Sequence, residues 1–146
     1  MYGKPSALKN YGRIANSESD PIEQIVMLYN GAIRFLQLAA IDIDAGNIPS
    51  KAENTNRALD IVRYLQSILD FERGGSVAES LDSLYTIVTW TIIRASASLQ
   101  SSEMKHAADL LTPVRDAWTE NSRIAKPVSM PLTNGTESSP SMLATA

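Results

Sequence analysis

The chain offers few residues that could carry catalysis, and its single histidine is the first to consider. Glu103 and His106 have the Glu-x-x-His spacing with which di-iron helical bundles bind metal. That chemistry needs two such motifs and two further glutamates, and this sequence has one motif and one histidine. Met104 belongs to the apolar stripe of its helix, and Glu103 and His106 flank it. We therefore interpret His106 as a surface or boundary residue and expect no metal site.

Other catalytic and cofactor motifs are equally poorly represented. The sequence contains no Gly-x-Ser-x-Gly motif, and Gly74 and Gly75 lack the Lys-Ser/Thr pair that completes a phosphate-binding loop. The chain has no Cys, which excludes disulfides, thiolate nucleophiles and cysteine-based zinc sites. Paired carboxylates such as Asp42 and Asp44 are typical of solvated charge near a helix end. The sequence predicts neither an enzyme nor a bound cofactor.

Length and charge narrow the class of protein further. A chain of 146 residues favours one domain with its own core. The formal net charge of −3 argues against nucleic-acid binding, which needs a dense basic surface. The N-terminus has no apolar run typical of a signal peptide, and no stretch has the ~20 apolar residues of a membrane-spanning helix. We expect a soluble cytoplasmic protein that does not insert into membranes.

Capping residues typical of helix starts occur at four places along the chain. After each of them, apolar residues recur with a period of 3.6, and no segment shows the period-two alternation of a strand. Gly46 is typical of a left-handed helix end, and Gly74–Gly75 predicts the end of the second helix. Four helices of about 20 residues joined by short loops predict an all-α, antiparallel up-down four-helix bundle. The predicted starts are Asp20 with Pro21, Ser50, Ser76, and Ser101 or Ser102.

Pro113 leaves two alternatives open for the last helix. Because Pro113 cannot donate a hydrogen bond to the carbonyl of Asp109, the helix either kinks there or ends. In the second case Thr112 caps a short fifth helix.

The chain is predicted to comprise three segments. Residues 20–126 form the predicted bundle domain, and residues 1–19 form a polar N-terminal arm. Residues 127–146, rich in Ser, Thr and Pro, are predicted to be a disordered tail.

Apolar residues also lie off the core stripes of three predicted helices. One interpretation is that an inner helix touches two neighbouring helices and buries these off-stripe residues against them. The other is an external groove for a partner segment, in which Gly31 lets a partner backbone approach closely. The N-terminal arm would cover this groove through Tyr2, Leu8 and Tyr11. The candidate groove residues are Met27, Leu28, Gly31, Phe35, Leu38, Tyr64, Phe71, Ile87, Trp90 and Ile93.

Several ordered motifs resemble those of one protein family, the flagellar secretion chaperone FliS. Residues 27–36 are similar to its Met-Leu-Tyr-Asp-Gly-Ala signature, with Asn30 in place of the Asp. Residues 69–78 resemble its Leu-Asp and Gly-Gly segment, and residues 110–118 its closing helix. The Leu-Lys-Asn-Tyr of residues 8–11 is similar to its N-terminal arm.

This resemblance, which covers about residues 1–123, implies a function. It implies a cytoplasmic chaperone that binds the disordered C-terminal segment of flagellin and prevents premature polymerisation. It also implies delivery of the client to the flagellar type III export gate and displacement of the Tyr11 arm. The alternative is a self-associating structural bundle, whose surplus apolar surface forms a homodimer interface.

Overall fold

The computed structural model describes residues 20–124 as four helices joined by short loops. They pack as an antiparallel four-helix bundle, and residues 20–124 contain no strand, so the predicted fold class is confirmed. The predicted arm, residues 1–19, and the predicted tail, residues 127–146, lie outside the described residues. The helices are α1 (Pro21–Ala45), α2 (Ile48–Ser67), α3 (Phe71–Ser98) and α4 (Ser101–Ile124).

The predicted limits of α1 are confirmed by its two caps. At the start, Oδ1 of Asp20 accepts a hydrogen bond of 2.7 Å from the N–H of Ile22, and Pro21 occupies the first turn. At the end, Gly46 adopts the left-handed conformation with φ 72°, and its N–H reaches the carbonyls of the preceding turn. Both ends therefore follow from local sequence signals.

The predicted start of α2 at Ser50 is wrong, because Asn47 caps the helix instead. Oδ1 of Asn47 accepts a hydrogen bond of 3.2 Å from the N–H of Ser50. The hydroxyl of Ser50 donates to Oδ2 of Asp42 at 2.8 Å, and the side-chain amide of Asn54 donates to the same oxygen at 2.7 Å. The hydroxyl of Ser50, which the sequence pattern assigned to a helix cap, is thus bonded to Asp42 of α1 instead.

The turn from α2 to α3 also differs from the prediction that Gly74–Gly75 ends α2. Helix α2 ends at Ser67, and Asp70 caps α3 by accepting 3.1 Å hydrogen bonds from the N–H groups of Glu72 and Arg73. Gly75 interrupts α3 with φ 53° and ψ −131°, a conformation available to glycine and very costly for other residues. The glycine therefore redirects the first turn of α3, next to the start predicted at Ser76.

Helix α4 begins at Ser101 as predicted and continues through Pro113. The hydroxyl of Thr112 donates to the carbonyl of Ala108 at 3.0 Å, one turn back within the same helix. The alternative in which Thr112 caps a separate fifth helix is therefore wrong. Pro113 is exposed, so water can hydrate the carbonyl that loses its backbone partner.

Helix α1 lies at the centre of the packing. Its contacts with α2 and α4 are the most extensive in the bundle, whereas α3 packs more loosely against α2 and α4. Helix α1 is also long and apolar enough to cross a membrane by length and composition, although half of that apolar stretch is buried against the rest of the protein. The core helix of a bundle has the same pattern. The largest fully buried side chains include Tyr29, Leu36, Ile61, Leu65, Ile92, Met104 and Leu111.

Candidate functional site

The predicted groove residues fall into three groups by burial. Leu28, only 2% exposed, and Gly31 are buried, so their assignment to an outward face is wrong. The physical reason is that α1 packs more extensively against its two neighbours than α3 does, which widens its buried face beyond a single apolar stripe. The half-buried residues are Phe35, Leu38 and Tyr64. The exposed residues are Met27, Phe71, Ile87, Trp90 and Ile93.

Three of the exposed residues form a continuous apolar line on α3, which we call the α3 stripe: Ile87, Trp90 and Ile93. They are spaced by three residues, so they lie along one side of the helix. The opposite side of α3 faces the core through Val88 and Ile92, both fully buried. Trp90 is 58% exposed although tryptophan is among the most apolar side chains. The packing of the described bundle therefore does not depend on the α3 stripe.

Phe35 lies on a different face from Trp90. The guanidinium of Arg57 on α2 sits over the ring of Phe35, 5.7 Å from its centroid, and pairs with Glu53 at 2.6 Å. Helices α1 and α3 are diagonal in the bundle, with α2 in contact with both. The candidate residues therefore occupy at least two faces rather than one continuous groove.

A groove of about 490 Å³ lies between α2 and α3 at the end of the bundle that carries the α1–α2 and α3–α4 loops. We call it the α2–α3 groove. It shares Ile93 with the α3 stripe, so the two surfaces are continuous. The other lining residues are Ile48, Lys51, Thr55, Asn56, Leu59, Ser96, Ala97 and Leu99.

Sequence reasoning missed this groove because two of its apolar residues sit at helix ends. Ile48 opens α2 just after its cap and is exposed. Leu99 caps α3 with φ 55° and is 48% exposed. A left-handed leucine carries backbone strain of about 1 kcal/mol. The position of Leu99 depends on where α3 ends, which periodicity alone does not specify.

Polar contacts join α2 to α3 at both ends of their interface. At the groove end, Nζ of Lys51 donates to the carbonyl of Ser96 at 3.2 Å and to its hydroxyl at 3.0 Å. At the other end, the amide of Gln66 donates to Oδ1 of Asp82 at 2.8 Å and to the hydroxyl of Thr86 at 3.1 Å. These bonds fix the spacing of the two helices on either side of the apolar residues between them.

The residues that suggested metal chemistry lie apart from this surface, on α4. Glu103 and His106 are exposed, and Met104 between them is fully buried. The interpretation of His106 as a surface residue is confirmed. Among the described side chains, no group of three His, Asp or Glu residues could hold a metal ion.

The fold and this surface together define a class of protein: an all-helical bundle that presents an apolar line and groove outside a complete core. Comparison with known proteins gives the family. Residues 4–125 match the family described as "Flagellar protein FliS". The chain belongs to the FliS family, as the motifs at residues 27–36 and 69–78 indicated.

Named relatives support the same assignment. The chain is similar to the flagellar secretion chaperone FliS of Vibrio cholerae, with 32% identity over 71% of this chain and 76% of the relative. It is 29% identical to the flagellar secretion chaperone FliSB of Pseudomonas aeruginosa, over 77% of this chain and 92% of that protein. The Salmonella typhimurium FliS chaperone is 27% identical over 79% and 89% of the two chains. These relatives are named as chaperones, which fits a protein without catalytic activity.

Proposed function

We propose that this protein is a cytoplasmic export chaperone that captures the disordered C-terminal segment of flagellin. Capture prevents premature polymerisation, and the complex is delivered to the flagellar type III export apparatus. The observation that carries the proposal is the α3 stripe, which continues into the α2–α3 groove through Ile93. Membership of the FliS family supports a flagellar client, since the relatives are named flagellar secretion chaperones.

The energetics of capture favour an apolar surface of this kind. A disordered segment loses conformational entropy when it is ordered on a partner, typically at a cost of about 2–5 kcal/mol or more. Burying apolar side chains offsets this cost by about 25 cal/mol for each Å² removed from water. Ile87 and Trp90 are each more than half exposed, so a client that covers them gains apolar burial on both sides of the contact.

The N-terminal arm extends the proposal. Tyr2, Leu8 and Tyr11 lie outside the described residues, and we propose that they cover part of the apolar surface until the client displaces them. A protein lacking residues 1–18 then binds the client more tightly than the full chain, because no arm competes. Equal or weaker binding by the truncated protein contradicts the role of the arm and leaves the capture proposal intact.

Titration calorimetry with the isolated C-terminal segment of flagellin tests capture directly. We expect a one-to-one complex, and circular dichroism should show helical signal gained on mixing. The mass of the protein alone, measured by light scattering over a range of concentrations, tests the competing homodimer. A stable dimer that ignores the flagellin segment would overturn the proposed function.

A further inference from the structure

Lys51 is an unusual cation, because it is buried without a carboxylate partner among residues 20–121. The residue is only 9% exposed, and both hydrogen bonds of its ammonium go to neutral oxygens of Ser96. An ammonium has three N–H groups, so one remains for a further acceptor. A carboxylate brought to the remaining N–H would form a charge-assisted hydrogen bond. By contrast, Arg57 and Arg73 are more exposed and pair with acidic residues of their own helix turn or cap.

The surroundings of Lys51 are mostly apolar and open to the solvent. Lys51 lines the α2–α3 groove together with Ile48, Leu59 and Leu99, and the described lining residues include no Asp or Glu. The groove has a volume of about 490 Å³ and lies open along the surface of the bundle. It therefore suits a short piece of chain that brings both an apolar side chain and a negative charge.

We propose that the α2–α3 groove binds the last residue of the client chain, with its α-carboxylate on Nζ of Lys51. The inference rests on the proposed function, in which the client is a C-terminal segment. Every such segment ends in a carboxylate whatever its sequence, so charge complementarity with Lys51 is assured. The terminal side chain packs between Ile48 and Leu99, and the preceding residues continue over Ile93 and Trp90. The groove thus sets the register of the client on the bundle.

The test compares two forms of the flagellin C-terminal segment, one with a free α-carboxylate and one amidated at its C-terminus. The full-length chaperone should bind the amidated form about tenfold more weakly, because a hydrogen bond between two charged groups is lost. Lys51→Met should bind the free-acid form as weakly and should no longer distinguish the two forms, since the two changes remove the same contact. Lys105→Met, a change at an exposed position on α4, is the matched control and should retain the full preference.

Each outcome separates this inference from the function on which it rests. Equal binding of the two forms by the unaltered protein overturns the inference and leaves capture of flagellin standing. A preference for the free acid that persists in Lys51→Met overturns the role of Lys51. Failure to bind either form overturns both proposals. Amidation changes only the client. Comparing the free-acid and amidated segments on the unaltered chaperone therefore tests recognition of the α-carboxylate even if Lys51→Met does not fold.

Discussion

The hydroxyl oxygens of Tyr29 and Tyr85 lie 2.7 Å apart in the centre of the bundle. Their rings are tilted by 52° with centroids 6.3 Å apart. Tyr29 belongs to α1 and Tyr85 to α3, the two helices that face each other diagonally. A buried hydrogen bond therefore connects α3, the helix that carries the α3 stripe, to the most central helix of the fold.

Removing one hydroxyl of this pair should destabilise the bundle. Tyr85→Phe leaves the hydroxyl of Tyr29 buried without its partner, which costs about 1–2 kcal/mol. Urea unfolding followed by circular dichroism measures the loss. Tyr64→Phe is the control, since Tyr64 is only half-buried and lies outside the pair, and it should change stability by about 0.5 kcal/mol or less. Equal losses in the two variants would contradict a special role for the Tyr29–Tyr85 bond.

The same pair predicts a loss of stability at alkaline pH. Burial raises the pKa of Tyr29 from its ordinary value of 10.0 to about 12, and burial also raises the pKa of Tyr85. The unfolded chain loses these protons first, so the stabilising contribution is complete below pH 10 and is lost as the pH rises through about 12. Unfolding free energies measured from pH 9 to pH 12 should fall. The fall should be shallower in Tyr85→Phe, and an unchanged slope would argue against the buried phenols as its cause.

Asn30 and Arg115 make a second contact between helices that can be tested. Nη1 of Arg115 on α4 donates to Oδ1 of Asn30 on α1 at 2.6 Å, at an exposed site where the family signature has Asp. Asn30→Asp replaces this neutral acceptor with a carboxylate, which should stabilise the protein by up to about 1 kcal/mol at low salt.

The stabilisation expected for Asn30→Asp should depend on the charge of both partners. We expect most of it to disappear in 1 M salt and in a protein that also carries Arg115→Gln. Thermal melting at low and high salt provides the measurement. Stabilisation that survives both changes would mean that the aspartate acts through something other than Arg115.

Gly75 and Gly46 offer a matched pair for testing backbone strain. A Cβ added at either glycine meets no atom within 4 Å, so Ala substitution introduces strain without a clash. Gly46 has left-handed helical angles, which cost alanine about 1 kcal/mol. Gly75 combines φ 53° with ψ −131°, which should cost alanine about 2–3 kcal/mol. Chemical denaturation of Gly46→Ala and Gly75→Ala should rank them in that order, and the reverse order would contradict the break in α3.

Trp90 should contribute to client binding far more than to folding. Trp90→Ala removes a side chain that is already 58% exposed, so the unfolding free energy should change by about 0.5 kcal/mol or less. Binding of the flagellin segment should weaken about tenfold or more, as is typical of a central aromatic contact. Ile41→Ala is the control, because Ile41 is 60% exposed on α1 and does not line the α2–α3 groove. Equal losses of binding in the two variants would place the client elsewhere.

Local sequence signals determined the helices and the family. Asp20 and Gly46 mark the ends of α1 because capping involves atoms within one turn of the chain. The same locality explains the error at the start of α2. Asn47 and Ser50 are both good caps, and the choice between them depended on Asp42, which approaches Ser50 only once α1 and α2 have packed.

Which apolar residues face the solvent was decided by the tertiary structure. Leu28 and Trp90 both lie off the core stripe of their helices, yet Leu28 is buried and Trp90 is exposed. Periodicity describes one helix at a time, whereas burial depends on how closely the neighbouring helices pack against it, and α1 is packed more extensively than α3. The α2–α3 groove and the burial of Lys51 have the same origin. Both arise from the spacing of two helices that no single stretch of sequence encodes.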